Sequence, residues 1–287
     1  MSNAAARLRS VLYMPGANER ALEKARELPA DALILDLEDA VAPEAKAQAR
    51  DRVCEAAASG AYAERTVTIR VNGIGTEWHD ADVAAAAAAG PDAIVVPKVG
   101  SADDVLTVER ALERTGAPAG TQIWAMLETP AAVLHAAEIA AASRRLSTLV
   151  MGTNDLLNEL HAQATPGRGS LQASLTLCLL AARAEGRTIV DGVYNDVRDA
   201  EGFEAECVEG RRFGFDGKTL IHPGQIEICN RVFSPSPDEV EYARRVIEAF
   251  EQAASNGAGV ATLDGRLIEN LHVESAKRVL RLGGAST

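Results

Sequence analysis

Short runs of β-branched and apolar residues alternate along the chain with longer, Ala-rich amphipathic stretches. The apolar runs fall at 10–14, 32–37, 66–71, 93–97, 122–127, 147–152, 188–193 and 217–221, each of strand length. Helical spacing fills the gaps, at 19–28, 43–58, 77–89, 102–115, 130–143, 172–185 and 199–213. Eight strands with helices between them predict an α/β fold, a TIM (β/α)8 barrel. Periodicity does not show closure, so a doubly wound open sheet stays as the alternative. Its dinucleotide-binding version lacks the G-x-G-x-x-G that should follow the first strand. The rhythm stops near Pro235, which divides the chain into a barrel over 1–234 and a helical extension over 235–287. In the extension, 236–253 predicts a helix with Asp238 and Glu239 in its first turn. A small-residue stretch at 254–261 makes a hinge, and 264–282 predicts a last helix. Such an extension is a lid, over its own barrel or over a neighbouring subunit.

Composition narrows the class. The chain has 287 residues, 47% hydrophobic and 24% charged, which argues against disorder. Its 29 basic against 41 acidic residues give a net charge of −12, a balance that disfavours nucleic-acid partners. Cys54, Cys178, Cys207 and Cys229 form no C-x-x-C pair, so the usual zinc and redox patterns are absent and a reducing compartment fits. No apolar stretch is long enough for a signal peptide or a membrane span, and the expected location is the cytoplasm.

A barrel carries its chemistry at the C-terminal ends of the strands. Asp36, Glu38, Asp39, Arg70, Lys98, Glu128, Asp155, Asp191 and His222 all stand there. Glu128 and Asp155 would end adjacent strands and make an oxygen-rich site for a hard cation such as Mg²⁺. Alternatively, Asp155 caps a helix and Glu128 pairs with Arg70. Arg70, inside an apolar run, would grip a carboxylate or enolate oxygen with its planar fork, or else pair structurally with Asp36, Glu38 or Asp39. Those three acids would bind metal, orient metal-bound water, or form salt bridges. Lys98 and Lys218 raise a Schiff-base route. His222-Pro223 is either a site element or a turn, and His79, His135 and His161 read as surface or core residues.

The segments RSVLYMPGAN, ALILDLEDAVAPEAKAQAR, TIRVNG, AIVVPKV, AMLETPAAV, MGTNDL, FDGKTLIHPGQI and LDGRLIENLHVESAKRVL occur in that order. As an ordered set they resemble the HpcH/HpaI aldolase and citrate lyase β-subunit superfamily, in its acyl-CoA lyase branch. The resemblance spans nearly the whole chain. It implies a Mg²⁺-binding TIM barrel (Mn²⁺ substituting) that cleaves or forms short 3-hydroxyacyl-CoA thioesters such as malyl-, citramalyl- or citryl-CoA. It further implies Glu128 and Asp155 as metal ligands, with Glu128 also on the substrate and Arg70 on the acyl carboxylate or thioester oxygen. Asp36, Glu38 and Asp39 would line the metal pocket. Tyr13, Lys24, His222 and Pro223 would contact CoA. Asp264 would be a lid carboxylate supplied by a neighbouring subunit of a homo-oligomer, a trimer or hexamer. Two related outcomes stay open: thioester hydrolysis without C–C cleavage, and service as a citrate lyase subunit that needs an acyl-carrier partner. The chain departs from the resemblance at Tyr13, where Phe is frequent, and at Asn154, where Glu often precedes the aspartate.

Overall fold

A computed structural model of the chain describes residues 7–62 and 65–284. Eight strands form the barrel: β1 Ser10–Pro15, β2 Ala32–Asp36, β3 Thr66–Arg70, β4 Ala93–Val96, β5 Gln122–Leu127, β6 Leu146–Met151, β7 Thr188–Asp191 and β8 Gly217–Leu220. They pair in chain order, all parallel, and β1 closes on β8. The TIM barrel is therefore the fold, and the open-sheet alternative falls away.

Strand periodicity decides what faces the interior. Ala32 and Ile34 of β2, and Trp124 and Met126 of β5, belong to the cluster that fills the barrel. Two residues further on, the same faces carry Asp36 and Glu128. The intervening positions Leu33, Leu35, Ile123 and Leu127 are also fully buried. Burial on both strand faces explains why these runs are continuously apolar rather than alternating.

Two helical expectations change. The stretch expected as one helix over 130–143 is two, Pro130–Leu134 and Ala136–Ala141. His135 breaks it at φ −103°, ψ 12°, and its Nδ1 donates to the Gly100 carbonyl at 3.0 Å. A short helix, Thr153–Glu159, also follows β6, where no periodic signal marked one.

The chain divides into two compact units, Met1–Asn230 and Arg231–Thr287. In the second, helix Pro237–Ser255 opens with a capping box: Ser236 Oγ accepts from the Glu239 amide, and Glu239 Oε2 accepts from the Ser236 amide. The expected helix from Asp264 is not there. Ala261–Leu263 (β9) and Arg266–Ile268 (β10) form an antiparallel hairpin, and the helix begins only at Asn270, running to Leu282. Asp264 and Gly265 make the two-residue turn with φ of +49° and +74°, the conformation an Asp-Gly pair favours in a tight hairpin. Ala243, Val246, Ile268, Val273, Ala276 and Leu280 form this unit's core. Among the described residues no helix is long and apolar enough to cross a membrane.

Candidate active site

The register of β2 against β3 sets Asp36 opposite Arg70, both at the strands' C-terminal ends. Their side chains meet as a fork: Arg70 Nε to Asp36 Oδ1 at 2.6 Å, and Nη2 to Oδ2 at 2.7 Å. Arg70 Nη1 lies 2.8 Å from Glu38 Oε2 and 3.3 Å from Asp39 Oδ2. The ring of Tyr13 is 4.9 Å from the guanidinium carbon. Burial works against the charge on Arg70, but Asp36 and the other carboxylates outweigh it and hold the group firmly cationic. The structural pairing of Arg70 is thus formed, while Arg70 still lines the site cavity.

The loop after β2 is fixed from below. Asp36 accepts from the amides of Glu38 and Ala40, at 2.9 and 3.1 Å. Lys46, 6% exposed, donates to the carbonyls of Leu37 and Glu38 at 2.8 and 2.7 Å and lies 5.2 Å from the Trp78 ring centre. Sequence reasoning missed Lys46; its only signal was a lysine at the foot of an otherwise amphipathic helix.

Glu128 is 1% exposed. Its Oε1 accepts from the Lys98 amide at 2.7 Å. Lys98 adopts φ +54°, a left-handed conformation unusual for lysine, and its Nζ reaches Glu38 at 3.2 Å. Burial, with the negative charges of Glu38 and Asp155, pushes the Glu128 carboxyl up to about 8. Burial likewise raises Glu38. A Cβ at Gly152 would run into the Cβ and Oε2 of Glu128, so glycine makes room for this carboxylate. Glu128 has no ion pair with Arg70 among those formed, and Asp155 is not a cap: Gly152 is the N-cap of helix Thr153–Glu159, and Asp155 stands in its first turn.

Tyr13, Asp36, Asp39, Arg70, Glu128, Asp155 and Ile221 are among the residues lining one cavity of about 330 Å³. Its lining sets the carboxylates of Asp36, Asp39, Glu128 and Asp155 around Arg70, and burial with the neighbouring acids Glu38 and Asp155 raises the Glu128 carboxyl. Both features fit a hard divalent cation. Among the described residues no three acidic, imidazole or thiol side chains converge as a metal cluster, so a cation here would take Glu128 and Asp155 and fill its shell from water and substrate.

Other expected residues lie apart. Lys24 is exposed at the end of helix Glu19–Lys24. His222 makes a turn: its Nδ1 accepts from the Gly224 amide at 3.0 Å, capping the short helix Pro223–Gln225. Lys218 is fully buried between Asp191 (3.1 Å) and Glu206 (2.6 Å), and does not line the cavity. With Lys98 tied to Glu38, neither lysine offers an unpaired amine for a Schiff base. Asp264, in the second unit, accepts from Arg245 Nη2 at 2.5 Å. A further network went unforeseen: Arg168 Nη1 holds both oxygens of Asp191, at 2.7 and 2.8 Å, and Arg168 Nε donates to Glu209 at 2.7 Å. Asp191 and Lys218, charged residues inside buried strands, were its signal.

A closed parallel barrel with carboxylates and one arginine converging at its C-terminal mouth defines a barrel enzyme scaffold with an acidic, cation-suited site. The chain belongs to the HpcH/HpaI aldolase/citrate lyase family, whose model matches residues 9–223. It is 54% identical over 280 residues to a (3S)-malyl-CoA thioesterase of Cereibacter sphaeroides, covering 98% of this chain and 96% of that one. It is 36% identical over 277 residues to citrate lyase subunit beta of Escherichia coli, covering 95% and 92%. Among solved structures it is similar to the protein CitE from Mycobacterium tuberculosis in complex with magnesium, acetoacetate and coenzyme A. That likeness has a TM-score of 0.79 at 29% identity and covers 98% of this chain and 99% of that one.

Proposed function

We propose that the cavity holds Mg²⁺ through Glu128 and Asp155 and acts on a short 3-hydroxyacyl-CoA of the malyl type, hydrolysing its thioester. The observation that carries the substrate class is the convergence of Glu128, Asp155 and Arg70 on one cavity. The 54% likeness to a (3S)-malyl-CoA thioesterase over nearly the full length supports hydrolysis as the outcome.

Bound Mg²⁺, or Mn²⁺ in the same oxygen set, supplies Lewis acidity to the substrate's oxygens. Arg70 sets a fixed positive charge beside the oxygen on which negative charge develops, and Asp36 keeps the guanidinium plane in place. In hydrolysis the water oxygen bonds to the acyl carbon, the C–S bond breaks, and a proton goes to the CoA sulfur. Tyr13 lies on the guanidinium at the cavity wall, and the exposed Lys24 suits a CoA phosphate. His222 and Pro223 would border the same cofactor arm next to Ile221. Asp264, delivered by a neighbouring subunit of a trimer or hexamer, would carry the proton.

Carbon–carbon cleavage is the second reading, favoured by the family model and by the likeness to citrate lyase subunit beta. There the hydroxyl gives up its proton as its oxygen becomes a carbonyl, and the bond between the hydroxyl-bearing and α carbons breaks. The enolate carbon takes a proton, and a 2-oxo acid such as glyoxylate leaves with the CoA thioester intact. Incubating the purified chain with malyl-, citramalyl-, methylmalyl- and citryl-CoA separates the cases. Free thiol with intact hydroxy acid is expected. Glyoxylate, pyruvate or oxaloacetate without free thiol would replace hydrolysis by lyase action. Turnover only with an acyl-carrier partner would make the chain a complex subunit.

A further inference from the structure

Beside the site cavity lies a second one of about 550 Å³, walled by helix Thr153–Glu159, by residues 164–171 and by the loop after β7. Thr153, Asn154 and Val193 line both cavities. Across this shared wall Asn154 and Asn195 exchange two side-chain hydrogen bonds: Asn154 Nδ2 to Asn195 Oδ1 at 3.1 Å, and Asn195 Nδ2 to Asn154 Oδ1 at 2.8 Å. Both residues are exposed, so water can replace either bond at little cost, and the pair can part. Asn195 lines only the second cavity and has no part in the proposed chemistry.

We infer that the Asn154–Asn195 bridge is a specificity latch, which closes the site to long substituents and, when parted, admits an uncharged tail into the second cavity. The inference rests on the active-site reading above. The chemical class of the tail follows from the lining. Leu157 and Leu171 give an apolar wall, while Asp196, Asp199, Glu206 and Glu209 outnumber Arg168, whose Nη1 and Nε are held by Asp191 and Glu209 and whose buried Nη2 is unpaired. An alkyl tail gains by entering such a space, whereas a carboxylate tail meets like charge.

The test is calorimetric binding of 2-oxo acids in the presence of Mg²⁺, since they carry the carboxylate and oxygen that the site would hold. Pyruvate, 2-oxobutanoate and 2-oxopentanoate form the length series, and 2-oxoglutarate is the charged-tail control. Wild-type affinity should fall with tail length. Asn195→Ala should keep pyruvate binding and tighten 2-oxopentanoate by about tenfold, the scale of a methylene or two in an apolar pocket, with no gain for 2-oxoglutarate. An unchanged length profile in the variant overturns the latch alone, as does an equal gain for 2-oxoglutarate or a uniform loss that includes pyruvate. Wild-type protein that binds none of these acids overturns the active-site reading, and the latch with it.

Discussion

At Glu128, burial and neighbouring negative charge act in the same direction, and the fold favours the protonated carboxyl. Its folded value of about 8 stands above the ordinary 4.5. The stabilising contribution is therefore complete below the ordinary value and is lost as pH rises through about 8. Metal-free protein should accordingly melt at lower temperature as pH rises from about 5 to 8.5 in excess chelator, and Glu128→Gln should flatten that slope. Mg²⁺ should reverse the trend at the alkaline end, because a cation binds the ionised form. A wild-type slope identical to that of Glu128→Gln would mean that Glu128 ionises as freely as a surface acid. Arg70 supports a second expectation. Lysine keeps the charge but cannot form the fork with Asp36, so Arg70→Lys should lose roughly 2–4 kcal/mol of transition-state stabilisation, read as kcat/KM. Undiminished kcat/KM alongside a lowered Tm would confine Arg70 to its structural pairing.

Among the elements, the strands were legible because burial on both faces leaves continuous apolar runs of strand length, whereas which face turns inward came only with the structure. Following Trp124 and Met126 by two leads to Glu128, and following Ala32 and Ile34 leads to Asp36. Register was not legible, so the Asp36–Arg70 fork could not be told from pairs with Glu38 or Asp39. Two other features escaped because local turn chemistry overrode periodicity. Asp264-Gly265 folds back as a hairpin inside what read as a helix, and His135 interrupts a second helix. Gly152 joins element to site: it starts helix Thr153–Glu159 at the point where the Glu128 side chain passes. Gly152→Ala should therefore weaken Mg²⁺ binding by roughly 10–100-fold, the range seen when residues supporting metal ligands are lost. Mn²⁺ titration followed by electron paramagnetic resonance would measure it, and unchanged affinity would show that Glu128 moves aside or is not a ligand.

For the whole molecule, the proposed role of Asp264 as a proton carrier delivered by a neighbouring chain makes the strongest prediction. Asp264 stands at the tip of a two-residue turn between β9 and β10, in a compact unit with its own core. A hairpin tip presents a side chain outward, as a helix N-cap engaged with its own amides does not. Its partner Arg245 is 44% exposed, and such a surface ion pair is worth only about 0–1 kcal/mol, so Asp264 can leave it for a substrate. Delivery to a neighbour's barrel would exclude water and complete the site only on closure. Complementation tests this directly. Asp264→Ala and Glu128→Ala chains, each inactive alone, are mixed and allowed to exchange subunits. Delivery in trans predicts recovered turnover, from hybrid sites with Glu128 of one chain and Asp264 of the other. For a random 1:1 trimer with one-directional delivery, about a quarter of the active sites should recover, because each site needs one particular chain on each side. No recovery, with exchange verified by mass spectrometry of the mixed oligomers, would place Asp264 in cis or outside the chemistry.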